Sequence, residues 1–247
     1  MSADYGPSTY GERIAETYDR TYEDLPTDAT VARLAELAGS GPVLELGIGT
    51  GRIALPLAAR GLEVHGVDAS EAMVAELRKK PGGAVMPVVI GDFAEVPVEG
   101  RYSLVFVVFN TFFALATQDD QVRCFRNVAE HLTADGSFLL EVFVPDLTRF
   151  DRDQRVSVTR IGLDEIRLDV AQHDPVRQAT QAQHVVIAPG GISLYPVQIR
   201  YAWPAELDLM ARLAGLRLRE RWGGWSAEPF TSRSERHVSI YSAGPDT

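Results

Sequence analysis

The stretch Val43–Gly61, VLELGIGTGRIALPLAARG, decides the fold. A short apolar run ends in glycines at 47, 49 and 51, and an amphipathic segment follows without a break. That order is a strand, a tight turn and a helix, with glycine where a side chain would collide with a ligand or where φ must be positive. Outward from it, segments of strand type alternate with segments of helix type from about residue 28 to residue 145. This is the grammar of a parallel sheet covered on both faces.

Upstream, DATVARLAELAG has helical spacing and ends at Gly39, a C-terminal cap. PVLELG is the first strand, RIALPLAARG the helix after it and EVHGVDAS the second strand. Ser70 caps the helix EAMVAELRKK. AVMPVVIGD and YSLVFVVFN read as strands three and four, and TQDDQVRCFRNVAEHLTADG as a helix closing at a turn with Gly136 before strand five, SFLLEVFV. From 155 to 203 four β-rich stretches follow without helices between them, and PGG at 189–191 predicts a hairpin turn. They form an antiparallel insertion above the sheet. A helix from Pro204 to about Ala214 and two strands, LRLRERW and HVSIYS, complete the chain. The expected fold is α/β, a Rossmann-like doubly wound sheet of seven strands whose last pair is antiparallel, with the β insertion after strand five, in one domain over 1–247.

The 247 residues, 45% hydrophobic and 23% charged, suit one soluble domain and exclude a disordered or fibrous chain. The run LVFVVFNTFFALA is broken by Asn110 and Thr111 and is too short to cross a bilayer. The polar, acid-bearing first twenty residues resemble neither a signal nor a transit peptide, so a cytoplasmic location is expected. Cys124 is the one cysteine, which fits a reducing compartment and leaves no cysteine metal cluster; no metal site is expected. A net charge of −10 opposes a polyanionic partner, so the expectation is a small molecule, with no nucleic acid and no membrane, and with homo-oligomerisation left open.

The loop chemistry narrows the ligand. A dinucleotide fingerprint needs a third Gly or Ala where Arg52 stands, and a phosphate loop needs Gly-Lys-Ser/Thr where Gly51-Arg52-Ile53 stands. Asp68 closes strand two about twenty residues beyond the first glycine, the place for an acid that accepts bonds from ribose hydroxyls. Asp92, in GDF, stands where a carboxylate can meet an exocyclic adenine amine, and Glu45 lies just ahead of the glycines. Three carboxylates repel a pyrophosphate and suit a cofactor with a cationic amine and a sulfonium, S-adenosylmethionine.

In these motifs the chain resembles the class I S-adenosylmethionine-dependent methyltransferases, with LELGIGTG as motif I, Asp68 as the motif II acid, GDF as motif III and FVVFNTFF as motif IV. The resemblance implies that Gly47, Gly49 and Gly51 line the methionine part, Asp68 the ribose, and Ser70, Met73, Asp92 and Phe93 the adenine, with Glu45, Ala69 and Phe109 also at the cofactor. The N-terminal YGERIAETYDRTYED puts Tyr10, Ile14, Thr17 and Tyr18 at helical spacing. It is similar to the N-terminal helix of small-molecule N-methyltransferases of antibiotic assembly, of amino-sugar and lincosamide type. The resemblance makes 1–27 a segment that covers the cofactor and Tyr10 and Tyr18 residues of both cofactor clamp and reaction centre. Residues 155–203 become a wall of the acceptor pocket.

The acceptor segment Asn110-Thr111-Phe112-Phe113 carries no His, Asp or Glu and lacks the prolines of nucleic-acid amino methyltransferases. Phe112 and Phe113 are candidates to press on the reacting group, with core packing as the competing role. The leading expectation is methyl transfer to an amine nitrogen of a small molecule, an antibiotic or amino-sugar intermediate, by in-line displacement with alignment and desolvation. The alternative is an O- or C-methyltransferase whose base is His173 or His184, beside Tyr195 in the insertion. His65 and His131 read as scaffold, while Trp203, Trp222 and Trp225 read as pocket lining or core. A non-catalytic binding module and an NAD-binding protein are the remaining readings, and the intact loop with its three acids opposes the first.

Overall fold

The computed structural model describes residues 5–243. Its centre is a seven-stranded sheet in the order β10-β11-β5-β4-β1-β2-β3. The strands are β1 (Val43–Leu46), β2 (Val64–Asp68), β3 (Val88–Ile90), β4 (Tyr102–Val107), β5 (Leu132–Phe143), β10 (Leu216–Trp222) and β11 (Arg236–Ala243). β1 pairs in parallel with β2 and β4, β2 with β3, and β4 with β5. β11 runs antiparallel to both β5 and β10. Every residue of β1 is buried, as a central parallel strand covered on both faces requires. The fold expected from the sequence is the fold observed.

Helices α2 (Asp28–Ala38) and α3 (Ala54–Ala59) lie on the side of the sheet that buries Leu34, Leu57, Leu104 and Leu139. Helices α5 (Gln118–Glu130) and α6 (Pro204–Leu213) cover the core that holds Phe125, Phe138 and Tyr241. Ser70 caps α4 (Glu71–Arg78) by accepting from the Met73 amide, and Thr117 caps α5 by accepting from the Asp120 amide.

Two local expectations change. The helix expected to run to Gly136 stops at Glu130, where the His131 ring takes up the carbonyls of Asn127 and Val98, and β5 starts at once at Leu132. The third strand is short, since Gly83–Val85 winds into a 3-10 turn before it.

Between β5 and α6 stands a separate antiparallel sheet of β6 (Gln154–Ile161), β7 (Ile166–Asp174), β8 (Ala179–Ala188) and β9 (Gly191–Arg200). Its base is fixed by Arg200, which donates to Gln121 on α5 at 2.6 Å and to Glu206 on α6 at 2.6 Å. Helix α1 (Thr9–Thr21) bridges the two sheets, packing on α4 and on β9.

Candidate active site

The carboxyl ends of β1, β2 and β4 converge, and the glycine loop lies among them. Gly47, Gly49 and Gly51 all have positive φ, at 72°, 54° and 79°. A Cβ on Gly47 would stand 2.5 Å from the Thr111 methyl, so the loop also needs glycine for the close approach of motif IV. Asp68 holds the turn: one carboxylate oxygen accepts from Gly49 N–H at 2.7 Å and the other from Ser70 N–H at 2.9 Å. Each oxygen keeps a lone pair for a ribose hydroxyl. Burial raises the Asp68 pKa, and those two backbone bonds oppose the rise.

Glu45 is 4% exposed, and its Oε2 has no hydrogen-bond partner. Burial pushes its carboxyl well above the usual range; the Arg52 charge and the Ala54 N–H pull it back. An orphaned carboxylate oxygen beside a glycine loop is a receptor for a cation or a donor. The residues present therefore fit S-adenosylmethionine: glycines for close approach, Asp68 for the ribose and Glu45 for the amine.

Motif IV turns sharply. Phe109 and Asn110 both adopt left-handed backbone, with φ of 62° and 65°, a conformation that costs about 1–3 kcal/mol in a residue other than glycine. Two bonds over-determine it. The Glu141 carboxylate accepts from Phe109 N–H at 3.0 Å, and the Asn110 side-chain carbonyl accepts from Phe143 N–H at 2.7 Å. The turn presents the Phe109 ring, which carries the Arg52 guanidinium on its face at 4.4 Å and the Tyr22 ring on edge at 5.3 Å.

Helix α1 closes over this loop. Gly11 lies so near Ser70 that a Cβ there would be 2.5 Å from the serine Cβ. Glu12 accepts from Ser70 Oγ at 2.8 Å, and Asp19 accepts from Thr50 Oγ1 in the glycine loop at 2.6 Å. Lys80 completes the latch by pairing with Asp19 and donating to the Thr50 carbonyl. Ile14, Ala15 and Met73 form a small apolar cluster, joined by Tyr10, Tyr18, Tyr22 and Tyr195. The Tyr10 and Tyr22 hydroxyls bond at 2.9 Å, and the Tyr18 and Tyr22 rings meet at a tilt with centroids 4.8 Å apart. Burial raises the pKa of Tyr10 and of Tyr18, so both stay protonated donors at neutral pH. The charges of Arg52, Glu45 and Asp68 all reach the Tyr18 hydroxyl.

The insertion adds an acid–imidazole pair. His184 Nδ1 lies 2.5 Å from Asp169 Oδ1, and the His184 ring meets Tyr10 edge-on at 6.3 Å. His173 has a different setting, buried between Phe150 and Tyr201 and bonded to the Tyr201 hydroxyl at 2.9 Å. Its ring neighbours are Phe150 and Tyr201, whereas the His184 ring meets Tyr10.

Of the expected site residues, Tyr10, Tyr18, Glu45, the three glycines, Asp68, Ala69, Met73 and Phe109 come together around the loop. Asp92 caps its own turn, accepting from Ala94 N–H at 2.8 Å, and Phe93 is enclosed in the core on the α5 side. Phe112 and Phe113 are each 0% exposed. Phe112 packs on Phe125 inside the core and Phe113 on Phe143, and neither ring pairs with a ring of the tyrosine cluster. Trp222 and Trp225 pack on the core beside α2, with Arg33 over the Trp222 ring, and Trp203 is half exposed before α6. Tyr22, Arg52, Glu141 and Asp169 escaped the sequence reading. Tyr22 carried a signal, four residues beyond Tyr18 on the same helical face; Asp169 carried none before the β7–β8 register was known.

Comparison with known proteins agrees with this geometry. A family model described as a methyltransferase domain matches residues 43–136. The cypemycin N-terminal methyltransferase of a Streptomyces species is 31% identical over 95% of this chain and 97% of its own. The solved CcbJ methyltransferase from Streptomyces caelestis is 42% identical, with a TM-score of 0.91 over 98% of this chain and all of its own. CalS10 from Micromonospora echinaspora, an amino pentose methyltransferase solved with S-adenosylmethionine, shares the fold at 18% identity, with a TM-score of 0.68 over 92% of this chain and 97% of its own. The chain belongs to the class I S-adenosylmethionine-dependent methyltransferases.

Proposed function

We propose that the chain methylates an amine nitrogen of a small molecule, an intermediate of antibiotic or amino-sugar assembly. The observation that carries the reading is the acceptor side of the site. Tyr10, Tyr18 and Tyr22 wall it, and the segment Phe109–Phe113 brings no acid or histidine. The names of the cypemycin N-terminal methyltransferase and of the amino pentose methyltransferase CalS10 support an amine acceptor, and the net charge of −10 supports a small molecule over nucleic acid.

When bound, S-adenosylmethionine supplies a methyl group on a sulfonium, open to in-line attack by a lone pair. The chain's own work is placement and desolvation. Glu45, the glycine loop and Asp68 fix the donor. Tyr10 and Tyr18 exclude water and hold the acceptor with neutral hydroxyls. An ammonium must lose a proton before its nitrogen attacks, and the Asp169–His184 pair stands ready to take it.

The same pair favours a second reading, a hydroxyl or carbon acceptor with His184 as base. Labelled methyl transfer to paired small amines and phenols decides between them. Under the amine reading, label goes to the amines, and Tyr18→Phe lowers turnover about ten- to hundred-fold through misplacement. His184→Ala then retains activity that recovers as pH rises, because the amine deprotonates by itself. Label on the phenols, with His184→Ala inactive at every pH yet still binding cofactor, establishes the second reading instead.

A further inference from the structure

Arg52 follows the last glycine of the loop, and its guanidinium rests on the Phe109 ring at 4.4 Å. Among the described residues it makes no hydrogen bond and no ion pair. Its charge nevertheless reaches Glu45, Tyr18 and Tyr22, which places it over the loop. Of the neighbouring cations, Lys80 is engaged by Asp19 and the Thr50 carbonyl and Arg167 by Glu165 at 2.7 Å, while Arg155 stands 4.0 Å from Asp169 with its Nε unpartnered. Stacking on an aromatic face uses none of a guanidinium's five N–H donors.

Another charged group at the loop is the buried Glu45, within reach of the Arg52 charge and with Oε2 unpartnered. Glu12, Asp19, Glu45 and Asp68 all border the loop or the helix over it. Such surroundings draw in the ammonium of a methionyl group and repel its carboxylate unless one cation answers it. We infer that Arg52 is that cation: it anchors the α-carboxylate of the cofactor's methionine end while Glu45 takes the α-ammonium, so the loop recognises a zwitterion at two separate points. Phe109 acts as the rest that holds the guanidinium in place for the ligand, and the left-handed turn fixes where that ring stands. A planar fork suits a carboxylate at two oxygens, which a lysine at this position would not reproduce.

The inference depends on the cofactor class and not on the identity of the acceptor, so it is tested without any methyl transfer. The full chain is titrated calorimetrically with S-adenosylhomocysteine, its decarboxylated analogue and its deaminated analogue. The wild type should prefer the complete ligand over the decarboxylated one by about ten- to hundred-fold, the range of a charge-assisted pair. Arg52→Gln should bring that ratio close to one while keeping the preference over the deaminated analogue; Glu45→Gln should do the reverse. Arg52→Lys retains charge without the fork and should keep part of the ratio, and it serves as the readout if thermal melting shows the glutamine variant unfolded. Equal binding of the complete and decarboxylated ligands by the wild type overturns the inference. So does an undiminished ratio in Arg52→Gln, or in Arg52→Lys where that variant is the readout.

Discussion

Glu45 illustrates how one buried carboxylate ties ligand binding to stability. Its folded-state pKa lies above the ordinary 4.5 because burial disfavours the anion. A carboxyl raised on folding binds more protons in the native state, so the ligand-free protein loses stability as pH climbs from 4.5 through the raised value and levels off above it. Each unit of the rise costs about 1.4 kcal/mol. Glu45→Gln should therefore melt higher than the wild type at neutral pH, with the difference vanishing near pH 4, and thermal melts across that range check it. At this scale the sequence was informative where chemistry is local. The Asp68 turn and the Ser70 cap are made with residues within a few positions, or with the loop one strand away, so spacing reveals them. Glu141 reaches Phe109 N–H only because β4 and β5 are neighbours, and no spacing encodes that.

Helix α1 depends on a close approach rather than on apolar area. Gly11 sits against Ser70 and Met73, where a Cβ would be 2.5 Å and 2.9 Å from the nearest side-chain atoms. Gly11→Ala raises helix propensity, which would stabilise an isolated helix by roughly 1 kcal/mol. In this protein it should instead lift α1 from α4, because the contact atom is the serine Cβ, fixed to the backbone. Limited proteolysis should cut the variant within the N-terminal segment faster than the wild type, and cofactor affinity should fall about ten-fold or more through the loss of Tyr18 from the loop. The helix and its tyrosine face were readable as a periodic pattern, but its docking by Glu12 and Asp19 was not, since both look like ordinary solvent-facing acids in sequence.

At the scale of the molecule, the two sheets are bound by polar seams as much as by core. Arg200, 6% exposed, ties the insertion to α5 and α6, and Gln178 adds a bond to Glu206 at 2.8 Å. Within the main sheet the buried His237 on β11 has its pKa lowered to about 3 by burial and by the Arg221 charge. A depressed histidine binds fewer protons folded than unfolded, so stability falls as pH drops from 6.5 toward 3. His237→Gln should flatten this acid limb in equilibrium unfolding while leaving the alkaline side unchanged. The seven-stranded sheet and the insertion were readable because alternation of element types and missing helices are global patterns, whereas the seams join residues far apart in the chain.

The latch of Asp19 on Thr50 and Lys80 has a kinetic consequence. With α1 fastened to Thr50 of the glycine loop, the expectation is that spent cofactor leaves and fresh cofactor enters only when the helix lets go. Every cycle then contains one release and one recapture of α1, and the residence time of the spent product follows the lifetime of the latch. Asp19→Asn should shorten that residence time in stopped-flow displacement and relieve product inhibition. Turnover at saturating substrate should rise in the same variant, and steady-state kinetics check it.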